Sequence, residues 1–198
     1  AHRAGAGKVV YSSASSVYGD TLETMDESHP LDTRTMYGAS KLAGELFLRA
    51  FNDQHGLDYV ALRYMNVYGP RQEGGLIVSV LRRLLAGERP TITGDGSQSF
   101  DFVHVADVAR ANLAAMASEV SDVALNVGSG GEASVREIVE RLILLTGSDV
   151  EPEYRADERV VMSRRVGSNE RLRHLLGWEP TIDLESGLRD VIAWETRK

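Results

Sequence analysis

The sequence predicts an α/β fold built on a parallel sheet, with a smaller mixed lobe beside it. Three observations lead there. Short apolar runs of buried-strand type alternate with helical segments. The helical segments carry their own start and stop signals. No internal repeat or low-complexity tract interrupts the alternation. With 198 residues, 42% of them hydrophobic and 26% charged, the chain is long enough for one domain or two small ones.

Lys8-Val9-Val10-Tyr11-Ser12 is the first strand, followed by a Ser-rich loop and a polar stretch from Asp20 to Thr35. Met36 to His55 is a helix closed by Gly56, and Asp58 to Met65 is the next strand. Asn66 to Gly75 reads as a loop, because Gly69-Pro70 and Gly74-Gly75 are turn signals. Leu76 to Ala86 is helical, Thr91 to Thr93 a short strand, and Gly94-Asp95-Gly96-Ser97 a turn. Phe100 to Val105 is a strand leading into a helix from Ala106 to Met116, and Ala124 to Val127 is another strand. Ser134-Val135-Arg136-Glu137 is a capping box that opens a helix to Thr146. Two further helices run from Asn169 to Leu176, stopped by Gly177, and from Leu184 to Trp194, with Asp183 as N-cap. Mixed elements after Gly69 and again after Asp122 mark the smaller lobe.

Composition narrows the function. A net charge of −7 argues against a phosphate-backbone binder and against a polybasic membrane patch. Without cysteine, disulfide frameworks and thiolate metal sites are excluded, and a cytoplasmic location fits. No apolar run reaches the ~18–20 residues of a membrane span. Residues 1–8 lack the apolar core of a signal peptide and read as the end of a helix with a Gly-rich stop. The five histidines show no metal-ligand spacing, and His104 at a strand end is expected in a core or capping role. The acidic residues Glu151, Glu153, Asp157 and Glu158 are expected in a solvated loop.

The strongest chemical signal is Tyr37-Gly38-Ala39-Ser40-Lys41, a Tyr and a Lys four apart near a helix start. That spacing places both on one face, one turn apart. The helix's apolar stripe, Ala39, Leu42, Ala43, Leu46, Phe47, Ala50 and Phe51, is centred on the other side. It is expected to be the packing face, with the Tyr–Lys pair turned elsewhere. A phenol is a poor base at neutral pH, and a nearby ammonium favours its ionised form. A tyrosine so tuned can take a hydroxyl proton while a hydride leaves the same carbon. About twenty residues upstream, Ser12-Ser13-Ala14-Ser15-Ser16-Val17-Tyr18-Gly19 follows a strand, where a hydroxyl can reach a ligand at the end of a parallel sheet.

These segments, with Leu62-Arg63-Tyr64-Met65-Asn66-Val67-Tyr68-Gly69-Pro70-Arg71, Gly94-Asp95-Gly96-Ser97 and Asp101-Phe102-Val103-His104-Val105-Ala106-Asp107, resemble the extended short-chain dehydrogenase/reductase family. Within it the chain is similar to NAD-dependent nucleotide-sugar epimerases and dehydratases. Leu175-Leu176-Gly177-Trp178-Glu179-Pro180 resembles the family's closing segment. The resemblance implies the second half of a Rossmann-type parallel sheet, residues 1–68 with 100–121. A substrate-binding lobe would take 69–99 with 122–198. It implies Tyr37 as catalytic base and Lys41 as the residue that holds the nicotinamide ribose of NAD. Met65 would line the nicotinamide, Ser13 would stand on the cofactor side, and Asn66 and Arg71 would bind substrate. The implied reaction oxidises a sugar hydroxyl, commonly at C4, and returns hydride to the opposite face. A homodimer through a four-helix contact that includes the 36–55 helix is implied as well.

Three departures from the family pattern stand out. Ala14 stands where a catalytic Ser or Thr is usual, so Ser15 or Ser13 must supply the hydroxyl, and Ser15 is the choice. Ser15-Ser16 replace the carboxylates that dehydratases use for elimination, which favours an epimerase. Phe100 replaces an arginine that clamps the nucleotide diphosphate, leaving Arg71, Arg155 or Arg159 to compensate. A Gly-rich phosphate loop between a strand and a helix is not found in these residues, so the chain is expected to begin part-way through the dinucleotide domain. The alternatives are a dehydratase or reductase on the same scaffold, or a non-catalytic homologue.

Overall fold

The computed structural model describes residues 1–156 and 164–197. Asp157, Glu158 and Arg159 lie outside the described residues. The first strand, β1 (Lys8–Ala14), runs into a 3₁₀ turn at Ser15–Tyr18. Helix α1 (Met36–His55) is capped by Thr35, whose hydroxyl accepts from the Gly38 amide at 3.0 Å, and ends at Gly56 in the left-handed conformation. Then come β2 (Asp58–Tyr64), β3 (Asn66–Tyr68), α2 (Leu76–Leu85), β4 (Thr91–Thr93), β5 (Ser99–Phe100) and β6 (Phe102–His104). Helix α3 (Val105–Ala117) is capped by the His104 ring, as a capping histidine should be. The chain continues through β7 (Val123–Val127), β8 (Ala133–Ser134) and α4 (Val135–Thr146), whose capping box is formed by Ser134 and Glu137. It closes with β9 (Glu153–Arg155), β10 (Arg164–Arg165), α5 (Glu170–Leu176) and α6 (Leu184–Glu195), the last capped by Asp183.

Strands β1, β2 and β7 form a parallel sheet in that order, with Val10 beside Val60 and Val60 beside Val123. The strand residues at its centre, Val60, Ala61, Leu62 and Leu125, are wholly buried, as two covered faces require. Beneath them lies one core with Val17, Met25, Val103, Leu172 and Trp178. A second core joins α2, α4 and α6 through Ile77, Leu81, Ile138, Leu142 and Leu188. The segment after Asp122 thus serves both: β7 and α5 belong with the sheet, α4 and α6 with the second core.

The expected strand over 100–105 is broken at Asp101, and β3 lies inside the expected 66–75 loop. β8, β9 and β10 were likewise not expected. Each is two or three residues long, too short for a periodic signal, and exists because a distant partner pairs with it: β3 with β6, β4 with β9, and β5 with both β8 and β10.

Asp101 is fully buried at the break. Its carbonyl accepts from the Asn66 amide at 2.9 Å and its own amide donates to the Arg165 carbonyl at 2.9 Å. Its carboxylate accepts from the Ser129 amide and hydroxyl, both at 2.7 Å, and from the Gly130 amide. Burial pushes this carboxyl up to about 6, against those donors. The folded chain therefore holds the proton more tightly than the unfolded one. The contribution of Asp101 to stability is present below the ordinary Asp value and falls as pH rises toward 6. In urea unfolding between about pH 4 and pH 6, wild type is expected to lose on the order of 2 kcal/mol relative to Asp101→Asn. Parallel pH profiles would refute this.

Candidate active site

The C-terminal ends of β1 and β2 open into a cleft of about 440 Å³, the place where parallel α/β sheets receive ligands. It is lined by Ser13 to Ser16 after β1, Tyr37 of α1, Tyr64 to Tyr68, the start of α2, and Phe100, Phe102 and Arg165. Its size lies in the ordinary range for small-molecule sites, ~300–1,000 Å³.

Helix α1 reaches this cleft because its first turn sits against the Ser loop. A Cβ on Gly38 would lie 2.6 Å from the Ser16 carbonyl, so only glycine permits this approach. The same holds at Gly44, where a Cβ would meet the Tyr11 ring. Tyr37 is 58% exposed and faces the cleft. The Lys41 ammonium donates to the Ser12 carbonyl at 2.9 Å and stands 5.6 Å from the centres of both the Tyr37 and Tyr11 rings.

The expected orientation of α1 is corrected. Of the apolar stripe, Ala39, Ala43, Leu46, Phe47, Ala50 and Phe51 are exposed and only Leu42 is half-buried. The face on the sheet carries Gly38, Lys41, Leu42, Glu45 and Leu48. A buried charge pair explains it. Glu45 accepts from Arg63 of β2 through Nε at 3.0 Å and Nη2 at 2.7 Å, and from the Ser13 hydroxyl. Arg63 also donates to the Tyr18 hydroxyl at 2.9 Å, which donates to Asn126 of β7 at 2.7 Å. Burial pushes the Tyr18 phenol up to about 12, with Arg63 pulling the other way, so it keeps its proton. Sequence reasoning missed Glu45 and Arg63. The available signal was an arginine inside the apolar run Val60-Ala61-Leu62 and a glutamate one turn beyond Lys41.

Ser13, Ser15, Tyr37, Met65 and Asn66 all line the cleft. The Ser13 hydroxyl is engaged with Glu45. Ser15 lines the cleft with no hydrogen-bond partner for its hydroxyl among the described residues, and the Ser16 hydroxyl is buried without one. Met65 is buried, its thioether end against Gly167 and its Cγ near Gly128. Asn66 is held by the Asp101 carbonyl. Arg71 is exposed, has a positive φ of 71°, and lines a neighbouring hollow with Gly69, Pro70 and Val105. Arg155 is paired with Glu153 at 3.1 Å on the surface. Phe100 packs edge-on against Phe102. The cation beside Phe100 is Arg165, its direct neighbour across the parallel pair. Sequence reasoning missed it, although successive residues of an extended Arg164-Arg165 pair must face opposite sides.

A family model described as the NAD dependent epimerase/dehydratase family matches residues 1–128. The chain is 35% identical to a UDP-glucose 4-epimerase of Mycolicibacterium smegmatis, over all of this chain and 65% of that protein. The crystal structure of a UDP-glucose 4-epimerase of Thermotoga maritima with UDP-glucose superposes with a TM-score of 0.94 at 32% identity, over 99% of this chain and 65% of that one. A UDP-glucuronic acid 4-epimerase of Bacillus cereus, in complex with UDP-glucuronic acid and NAD, gives a TM-score of 0.90 at 26% identity, over 96% and 62%. The chain thus spans a little under two thirds of the length of these relatives.

Glu45→Ala leaves the Arg63 charge buried and unpaired, and is expected to cost about 3–5 kcal/mol in urea unfolding. Adding Arg63→Leu should recover part of that loss; strictly additive losses would show that the two residues are not coupled.

Proposed function

The chain belongs to the NAD-dependent epimerase/dehydratase family, and on that premise we propose that it serves the NAD-dependent epimerisation of a nucleotide sugar through a transient 4-keto form. The observation that carries the reading is the Tyr37–Lys41 pair at the cleft, with Lys41 tethered to the end of β1 and Ser15 lining the same space.

The residues fit a nicotinamide cofactor. An ammonium has three donor hydrogens, and Lys41 gives one to Ser12, leaving two for ribose hydroxyls. Tyr37 stands beside it, Met65 adds an apolar wall, and Ser13 closes the cofactor side. When bound between Lys41, Tyr37 and Met65, NAD would supply the acceptor and donor for the hydride of the sugar carbon. Tyr37 takes the proton of the sugar hydroxyl as the C–H bond breaks, and gives a proton back when the carbonyl is reduced. The positive charge of Lys41 stabilises the negative charge that develops on the Tyr37 oxygen. Ser15 donates to the reacting oxygen. Asn66 meets the substrate in the cleft, and Arg71 meets whatever extends over its rim. Return of hydride to the other face requires the keto sugar to turn within the cleft.

Elimination is the competing chemistry of this family. It needs an acid and a base at the leaving group. None of the described residues lining the cleft is a carboxylate, which favours epimerisation over dehydration.

The exposed face of α1 supports a homodimer. Met36, Leu46, Phe47 and Phe51 form one apolar strip, with Phe47 68% exposed. We take a second copy of the same helix to cover it, and the absence of cysteine fits work in the cytoplasm.

Supplied with NAD and UDP-glucose or UDP-galactose, protein carrying this chain is expected to interconvert the two. Tyr37→Phe should lower turnover at least ~100-fold, and retained turnover would overturn the mechanism. Release of a stable keto product would point to the dehydratase reading. Phe47→Glu should shift the protein to a monomer in sedimentation velocity; an unchanged assembly would remove α1 from the interface.

A further inference from the structure

Arg164 and Arg165 are neighbours on β10 with opposite circumstances. The Arg164 guanidinium is fully engaged: Glu132 accepts at 3.0 and 2.8 Å, the Leu22 carbonyl at 2.8 Å and the Thr24 hydroxyl at 3.2 Å. Arg165 lines the cleft, and its Nε is buried with no partner among the described residues. It forms no ion pair with any of them either; the carboxylate that faces it is the exposed Asp20. Burial draws its guanidinium down from the ordinary arginine value, opposed by Asp20.

A desolvated donor without an acceptor is unfavourable unless something else supplies one. Three features say what that is. Arg165 is the one charged side chain among the described residues lining the cleft. Phe100 is its neighbour across the parallel pair and Phe102 lines the same cleft, and such apolar surroundings strengthen an electrostatic contact made there. A guanidinium presents its N–H groups as a planar fork that matches two oxygens of an oxyanion.

We propose that Arg165 is a substrate-binding and specificity-determining residue, whose guanidinium takes an oxyanion of the bound nucleotide sugar. The assignment rests on the nucleotide-sugar reading and deepens it. It also answers the question left by Phe100: the cation stands one strand away, on the same face of the β5–β10 pair. The oxyanion has two sources, the diphosphate common to nucleotide sugars or a carboxylate on the sugar ring.

Titration by NMR of protein carrying this chain, as wild type, Arg165→Met and Arg165→Lys, separates them. The probes are uridine, UDP, UDP-glucose and UDP-glucuronate. Arg165→Met should weaken at least UDP-glucuronate by about 10- to 100-fold, with uridine unchanged. Arg165→Lys should recover part of the loss. An equal loss for UDP, UDP-glucose and UDP-glucuronate assigns the contact to the diphosphate. A loss confined to UDP-glucuronate assigns it to the ring carboxylate. Equal affinities of wild type and Arg165→Met for every probe would overturn the proposal and leave the nucleotide-sugar reading standing. A loss for uridine as large as for UDP would make Arg165 structural and also overturn it. Failure of wild type to bind any of the three nucleotides would overturn both.

Discussion

The Glu45–Arg63 pair is the constraint on which the arrangement of the site depends. Both side chains are almost wholly removed from water, and desolvating two charges is costly unless geometry and further hydrogen bonds compensate. Here they do. The carboxylate receives both edges of the guanidinium and the Ser13 hydroxyl, and the guanidinium also reaches the Tyr18 hydroxyl. That chain of bonds runs from α1 through β1 and β2 to Asn126 on β7, and from there to the Met25 carbonyl. It fixes the rotation of α1 about its axis. Once Glu45 points inward, Lys41, one turn earlier, must lie over the end of β1, and Tyr37 must reach the cleft.

The rotation has a second consequence. A helix that turns charged and small residues toward the sheet presents its large apolar residues to the outside. Leu46, Phe47 and Phe51 are left uncovered for that reason. One buried ion pair thus decides both where the Tyr37 and Lys41 side chains stand and which apolar surface of α1 is left uncovered.

The cleft is assembled from segments far apart in sequence. Asp101 joins three of them, tying Asn66, Arg165 and the 128–131 turn to one buried residue. This is why the strand predicted over 100–105 breaks where it does. Regular pairing through Asp101 would forfeit the junction that seats β10, and with it Arg165, beside Phe100. The two faces of the site follow: hydroxyls and the Tyr–Lys pair on the sheet side, aromatic rings and one cation on the other.

Much of this was legible in the residues. Thr35, Ser134 and Asp183 cap their helices through bonds to amides three residues away, and Gly56 and Gly177 stop helices locally, so sequence alone set these ends. The same locality made Tyr37 and Lys41 readable, because one helical turn relates them, and the Ser loop readable, because it follows a strand. Other features depend on partners far along the chain, and no local pattern encodes them. Strands β3, β8, β9 and β10 exist only as paired. Glu45 and Arg63 are 18 residues apart: the arginine at the end of an apolar strand run signals burial, but nothing local names its partner. The apolar stripe of α1 pointed inward by period alone, and the buried ion pair reversed it. Local hydrogen bonding and periodicity therefore determined most of the elements and the pairing of Tyr37 with Lys41 at one end of α1; only tertiary packing, through desolvation, decided which faces turn inward and which arginine enters the cleft.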